Sequence, residues 1–394
     1  MKEIVLFLSL TLLIFGCQRP TKEVHIPFEY DGLIYVELAL NDSITGKFIL
    51  NASSSGLYLD STFVSNSPIR TDHLEEAKVG SSNREEELSI PVIQDVIHFK
   101  FGEKTFHSNQ TPILNLSGFN DEGLAGIIGL NFFQKFILNI NFEEKYLVLI
   151  TPDYRSKLVQ LNHIDYQMDG DHFLTQAMIT VDTETTITGL FEIDLGCTDE
   201  IVLSNETVHK CNLNQKEQKV LFNQLNGNNT TGHGIELRAN SIIFGENSLR
   251  KVILTQSDEY NHNFTDTKIL GYLGAPLFAR FNFYFDFPEK KIYLDPLPQA
   301  REKITSSCTG FEVIDRDNQS SKQWVVHVLY QPSPAYQAGL RLGDTIIEMN
   351  QRSLKDYTMD ELHELMNHAG NEIKIKVLSR GEEKTISFVT NEII

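Results

Sequence analysis

At 394 residues the chain is longer than one ordinary core serves, and two or three domains are expected. Hydrophobic residues make up 41%, including 25 Phe and 13 Tyr, which argues against wholesale disorder. The net charge of −19, from 53 acidic against 34 basic residues, argues against nucleic acid or an anionic membrane surface as a partner.

The chain opens with Met1-Lys2, and Ile4 to Phe15 is almost wholly apolar. That run is too short to span a bilayer comfortably as a permanent helix and reads as the core of a signal peptide. It ends in Leu13-Ile-Phe15-Gly16-Cys17, which resembles the bacterial lipobox, although Phe15 is bulkier than the pattern prefers. The resemblance implies a signal peptide over 1–16, cleavage before Cys17, lipidation of Cys17 and a short tether over 17–24. Such a protein would be exported and held at the cell envelope by a lipid anchor in a membrane.

Two halves of the chain then repeat one pattern. Gly46-Lys-Phe-Ile-Leu-Asn51-Ala-Ser53-Ser-Ser55 precedes Leu57-Tyr-Leu59, and Gly189-Leu-Phe-Glu-Ile-Asp194-Leu-Gly196-Cys-Thr198 precedes Ile201-Val-Leu203. From Asn51 to Asp194 the offset is 143. Gly126-Ile-Ile-Gly129 with Phe136 and Phe142 returns as Gly271-Tyr-Leu-Gly274 with Phe281 and Phe287, at an offset of 145. Two elements recurring in one order at nearly one spacing point to duplicated units.

Both halves read as β-rich. Ile34 to Leu40, Phe48 to Leu50, Val96 to Phe101 and Phe136 to Phe142 are short apolar or alternating runs between turn residues. Phe173 to Val181, Phe191 to Ile193, Ser241 to Phe244 and Phe281 to Phe287 answer them. Between each Asn51- or Asp194-type motif and its glycine pair lies a polar stretch, Gly80 to Asn83 and then Gly227 to Gly234. Either a mobile hairpin over a cleft or an exposed turn suits these positions, and His233 reads as a turn residue rather than a base.

This ordered set, found twice between about 25 and 300, resembles the retropepsin-like aspartic proteases. The resemblance implies a mainly β protein with two tandem acid-protease-like lobes, 25–155 and 156–300, forming a bilobed body like that of pepsin. It implies Asp194 and Asn51 as the catalytic pair, with Asn51 a degenerate partner. It also implies Gly196, Thr198, Gly232, His233 and Gly234 along the substrate cleft. In the family a Thr or Ser follows the Asp and ties the two loops together; here Ala52 and Leu195 stand there, and Ser53 replaces a turn glycine.

After Pro296-Leu-Pro298 the pattern changes. Ser333-Pro-Ala-Tyr-Gln-Ala338-Gly339-Leu-Arg-Leu-Gly343-Asp344-Thr-Ile-Ile347 looks like the most recognisable part of a PDZ domain. Thr358-Met-Asp-Glu361 is a capping box, Leu362, Leu365, Met366 and Ala369 line one helical face, and Gly370 ends it. Glu372 to Leu378 and Lys384 to Val389 read as closing strands of this α+β unit, taken as 305–394. The resemblance implies capture of peptides or protein C-termini as an added strand. Thr309, Gly310 and Phe311 would form the carboxylate-binding loop, and Leu362 and Leu365 the facing wall.

Aspartic protease chemistry requires two carboxyls sharing one proton. Asn51 can donate a hydrogen bond in place of the neutral acid, but it cannot exchange the proton. The first reading is therefore a peptide-binding protein with impaired cleavage. The second is an active endopeptidase using Asp194, paired with the same residue of another chain. The third is a non-catalytic structural module of an envelope complex. No cofactor or metal is expected. Export would permit a Cys197–Cys211 disulfide, although Cys308 leaves an odd count and the pairing open.

Overall fold

The computed structural model describes residues 24–79, 88–116, 123–225, 230–258, 268–304, 307–315, 324–357 and 359–394. The apolar leader, Cys17, the stretch Gly80 to Asn83, Gly227 and Thr358 lie outside these. Among the described residues no helix is long and apolar enough to cross a membrane.

In the first lobe the strand Ile44–Asn51 runs parallel to Leu124–Gly129, with Asn51 opposite Gly129. The other edge of Leu124–Gly129 takes Leu57–Asp60 antiparallel, and Leu57–Asp60 takes Thr111–Leu114 parallel. The chain leaving Asn51 must therefore loop across the end of Leu124–Gly129 before it re-enters the sheet. The second lobe repeats each step. Thr186–Asp194 lies parallel to Ile269–Gly274 with Asp194 opposite Gly274, Ile201–Leu203 pairs antiparallel beyond it, and Ile253–Ser257 lies parallel outside that.

This crossing explains the repeated glycines. A Cβ on Gly129 would stand 2.0 Å from the Ser54 carbonyl oxygen, and one on Gly274 would stand 1.9 Å from that of Asp199. Gly126 and Gly271 meet the carbonyls of Tyr58 and Val202 equally closely, at 2.0 Å. Backbone cannot yield as a side chain can, so only glycine fits at these four positions.

The lobes are joined by one sheet. Ile137–Asn141 pairs antiparallel with Phe281–Asp286, and Asn139 faces Tyr284, the residue 145 positions further on (284 − 139). A pseudo-two-fold axis passes between those two residues. Outward from it run Tyr146–Ile150 and Ile26–Tyr30 on one side, Lys291–Pro296 and Asn162–Asp169 on the other. Phe142 stacks on Phe283 across the axis, with centroids 6.0 Å apart, and Phe173, Phe285 and Phe287 continue the aromatic core into the second lobe.

The C-terminal domain has its own core, in which Phe311, Val326, Leu329, Ile346, Leu362, Ile373 and Ile375 are buried together. Its helix Pro334–Gln337 begins at Ser333, whose hydroxyl accepts from the Tyr336 N–H as an N-cap. Met359–Asn367 forms the longer helix, and Glu372–Ser379 pairs with Glu382–Val389 in continuous antiparallel register.

One strand joins this domain to the body. Trp324–Gln331 pairs with Phe311–Asp315 on one side; on the other, its last residues pair with Val220–Leu225 of the second lobe, placing Phe222 opposite Tyr330. Val220–Leu225 and Thr231–Arg238 form the hairpin to which Gly232, His233 and Gly234 belong. Those three residues thus sit in a regular strand rather than a turn. A Cβ on Gly234 would stand 2.1 Å from the Phe222 ring, which lies against Tyr330.

Candidate functional site

Each strand of the crossed pair delivers one polar side chain to the place where the lobes meet. Asn51 ends its strand with its Oδ1 accepting from its own loop, from the Ser53 N–H at 2.9 Å, while its Nδ2 donates to Ser54 Oγ at 3.1 Å. Asp194 does the same, its Oδ1 accepting from the Gly196 N–H at 2.9 Å. Both turns are Asx-type, with the side chain bonding backbone two residues on.

The loops also bond each other. Ser53 Oγ lies 2.8 Å from Asp194 Oδ1 and 3.1 Å from Asn51 Oδ1, so one hydroxyl proton serves both lobes. Ala52 and Leu195, fully buried and apolar, do not tie the loops; the hydroxyl that does so comes from the next residue along. Neither Ser53 nor Gly196 adopts a positive φ. The turn itself therefore does not demand glycine. Gly196 is required for room, because a Cβ there would stand 2.5 Å from Asn51 Nδ2. Thr198 also reaches the first lobe, with its methyl 3.4 Å from where a Cβ on Gly32 would sit.

Burial pushes the Asp194 carboxyl above its usual range, while the Ser53 hydroxyl, the Gly196 N–H and the charge of His172 pull it down. Alternation along the strand puts Glu192 on the same face as Asp194. Glu192 is 3% exposed and bonds His172 Nδ1 at 2.7 Å. Burial raises Glu192 against the pull of His172, and the charge of Asp194 adds to the rise. In His172, burial opposes the charged form, but Glu192, Asp169 and Asp171 outweigh it and raise the ring. Sequence reasoning passed over Glu192, His172 and the cross-lobe role of Ser53. A lone glutamate two residues before Asp194 in an apolar strand was a readable signal; His172 offered none.

A cavity of about 460 Å³ opens beside the Asn51 loop. Ser55, Gly56 and Tyr58 form one wall, and Glu75, Ile90 and Val92 of the hairpin Leu74–Val79/Leu88–Ile93 form the other. The other cleft residues expected from sequence are used differently. His233 is exposed and bonds Asn223 through its ring at 2.7 Å and Asp258 through its backbone at 3.0 Å; Gly232 pairs with Gln224. The hairpin of the second lobe is therefore engaged by the C-terminal domain.

In that domain Thr309, Gly310 and Phe311 are buried, and Thr309 Oγ1 donates to the Phe311 carbonyl at 3.2 Å. Just before them the Cys308 N–H donates to the Met366 carbonyl at 3.2 Å, fastening the loop to the last turn of the helix. Phe311 and Leu362 pack in the core and Leu365 is half-buried against it. Among the described residues the outer edge of Phe311–Asp315 pairs with no strand.

Cys197 is buried within the Asp194 loop, its N–H donating to the Asp194 carbonyl, and Cys211 caps the helix Asn205–Lys210; no disulfide joins them. No group of three or more His, Cys, Asp or Glu among the described residues is placed to hold a metal ion.

Residues 299–378 match the family model described as PDZ domain. The strand Glu382–Val389, beyond the matched span, completes the same sheet. None of the curated proteins compared matches the chain. Among solved structures, the crystal structure of aspartic proteinase from Irpex lacteus matches with a TM-score of 0.47 and 11% identity, over 71% of this chain and 99% of that chain. The chain is thus a mainly β protein in which two repeated, sheet-joined lobes precede a PDZ domain.

Proposed function

We propose that this is an exported, lipid-anchored, aspartic-protease-like protein that holds peptides or unfolded segments in its interlobe cleft and on its PDZ domain, with little or no cleavage. The observation that carries the reading is the Asn51–Ser53–Asp194 cluster. It has the form of a dyad seated between two lobes, and its first-lobe member cannot ionise. Asn51 also spends both ends of its amide within its own loop, on the Ser53 N–H and on Ser54 Oγ. General acid–base help contributes roughly 10²–10⁴-fold to such reactions, and half of the relay is missing.

What remains suits binding. Asp194 Oδ1 is taken by Gly196 and Ser53, so Oδ2 is the oxygen left to accept an N–H or O–H from an occupant. The cavity beside the Asn51 loop adds apolar walls for side chains, and the open edge of Phe311–Asp315 adds main-chain hydrogen bonding. Anchoring at Cys17 rests on the lipobox-like sequence alone.

One observation favours proteolysis as a second reading. Glu192 is a second, buried acid on Asp194's face, and its charge is coupled to Asp194. Pairing of Asp194 across a dimer is disfavoured, because the first lobe already occupies the interlobe sheet through Ile137–Asn141.

Titrating labelled unstructured peptides into the full chain tests the binding claim by fluorescence anisotropy. Saturable binding that weakens in Asp194→Leu supports the cleft, and loss in variants of the Phe311–Asp315 edge supports the PDZ groove. No saturable binding to either variant or wild type would remove the proposal.

A further inference from the structure

The junction between the second lobe and the PDZ domain buries an acidic cluster that neither the cleft nor the groove uses. Glu236, on Thr231–Arg238, is 7% exposed and accepts from Tyr330 Oη at 2.8 Å. The same phenol lies 3.2 Å from Glu312 Oε1 on Phe311–Asp315. Tyr330 itself is 4% exposed and belongs to the strand that joins the domains. The second-lobe loop after Asp194 contributes Asp199, which accepts from Thr255 Oγ1 at 3.2 Å, and Thr255 is the direct strand partner of Glu236.

Counting protons fixes what this geometry requires. A phenol has one proton, and two ionised carboxylates sharing it would face each other with their repulsion unrelieved. A second proton, carried on a carboxyl and donated to the phenol oxygen, removes that repulsion at the same distances. The groups facing the cluster are Asp199, Glu312, Tyr330 and Arg238. Arg238 is the one cation among them; it also donates to the carbonyls of Lys251 and Ile394 and pairs with Glu392 at 3.7 Å. Glu312 reaches solvent at the outer strand, but burial of its carboxyl, with Asp199 adding to it, raises it too, to about 7; Glu236 is the member with least solvent to disperse its charge.

We propose that Glu236 carries a proton while the PDZ domain is docked on the second lobe, and that losing it loosens the docking, making the junction a pH-sensitive lock. Burial, with Asp199 and Glu312 adding to it, pushes Glu236 up to about 8. An acid whose docked value is raised binds more protons docked than free. The lock is therefore tightest below the ordinary carboxylate value of 4.5 and weakens as pH rises toward about 8. Its effect on function would run through Asp199, five residues after Asp194 (199 − 194), and through the Phe311–Asp315 strand at the proposed groove.

Hydrogen exchange of the amides linking Val220–Leu225 to Trp324–Gln331 in the full chain reads the lock directly, after correction for intrinsic exchange. Opening should increase by up to about tenfold per pH unit between about pH 5 and 8. Glu236→Gln keeps the shape and a hydrogen-bonding oxygen, and should flatten that dependence while leaving protection at low pH unchanged. Flat protection in wild type, or an unchanged pH step in E236Q, would overturn the lock. Should E236Q fail to fold, infrared difference spectra of the wild type decide. A protonated-carboxyl band at neutral pH, lost as protection falls, supports the lock, and its absence refutes it.

Discussion

Ser53 of the first lobe reaches Asp194 of the second at 2.8 Å, across 141 residues of chain, and this contact fixes how the two half-sites face each other. It also sets the ionisation of Asp194, because a hydroxyl donating to a buried carboxylate stabilises the charged form against burial.

Removing that hydroxyl should therefore loosen the lobes and raise Asp194 further. Ser53→Ala is expected to cost about 1.5–3 kcal/mol in denaturant unfolding, the range for a hydrogen bond to a charged partner. The Asp194 carboxyl, followed by carbon-detected NMR, should titrate at higher pH than in wild type. An unchanged titration would show that the loops hold without Ser53.

Because the folded value of Asp194 stands above its ordinary 3.8, the folded state binds more protons than the unfolded one in the range just above it. Asp194 thus costs stability progressively as pH rises from that value, and Asp194→Asn should remove this contribution. Urea midpoints of the two proteins from about pH 4 to 7 should diverge, with the variant gaining relative to wild type toward neutrality.

His172 gives a slope of the same sign, in a higher pH range. A histidine raised by its folded partners stabilises fully below its ordinary 6.5, and this is lost as pH climbs through the raised value. His172→Gln should destabilise more at pH near 6 than at pH near 8. A uniform loss at both pH values would mean that His172 acts through packing rather than through its charge on Glu192.

At the crossings, Gly274→Ala places a methyl where only 1.9 Å separates a built Cβ from the Asp199 carbonyl oxygen. The Asp194 loop must then move, at a cost of about 3 kcal/mol. Gly123→Ala is a poor control because Gly123 has φ +96°; Gly56, which has nothing within 4 Å, is the fair comparison and should tolerate alanine within about 0.5 kcal/mol.

Much of the body was legible because duplication writes the same constraints twice. The offset of 145 that links Gly126 to Gly271 reappears in space as the pairing of Asn139 with Tyr284. The C-terminal unit was legible through Ser333-Pro and Gly343-Asp344, which cap a helix and turn into a strand where the residues predict. The site was only half legible. Asn51 and Asp194 carry their positions in local pattern, whereas the bond from Ser53 exists only because two distant loops meet. The docking strand was not legible, since Phe222 and Tyr330 are 108 residues apart (330 − 222) and nothing local marks them as partners. Gly232 to Gly234, where the residues suited either a hairpin or a turn, lie in a hairpin strand that pairs with Phe222 to Gln224 and, at Gly234, with Ser257.

The central claim is that Asn51 leaves a peptide-holding cleft without its proton partner. Its most direct test is mass-spectrometric detection of cleavage of a denatured protein substrate at acidic pH by wild type, Asn51→Asp and Asn51→Asp/Asp194→Asn. The account predicts no turnover by wild type, measurable turnover by Asn51→Asp, and its loss in the double variant. Wild-type cleavage that disappears in Asp194→Asn would contradict it.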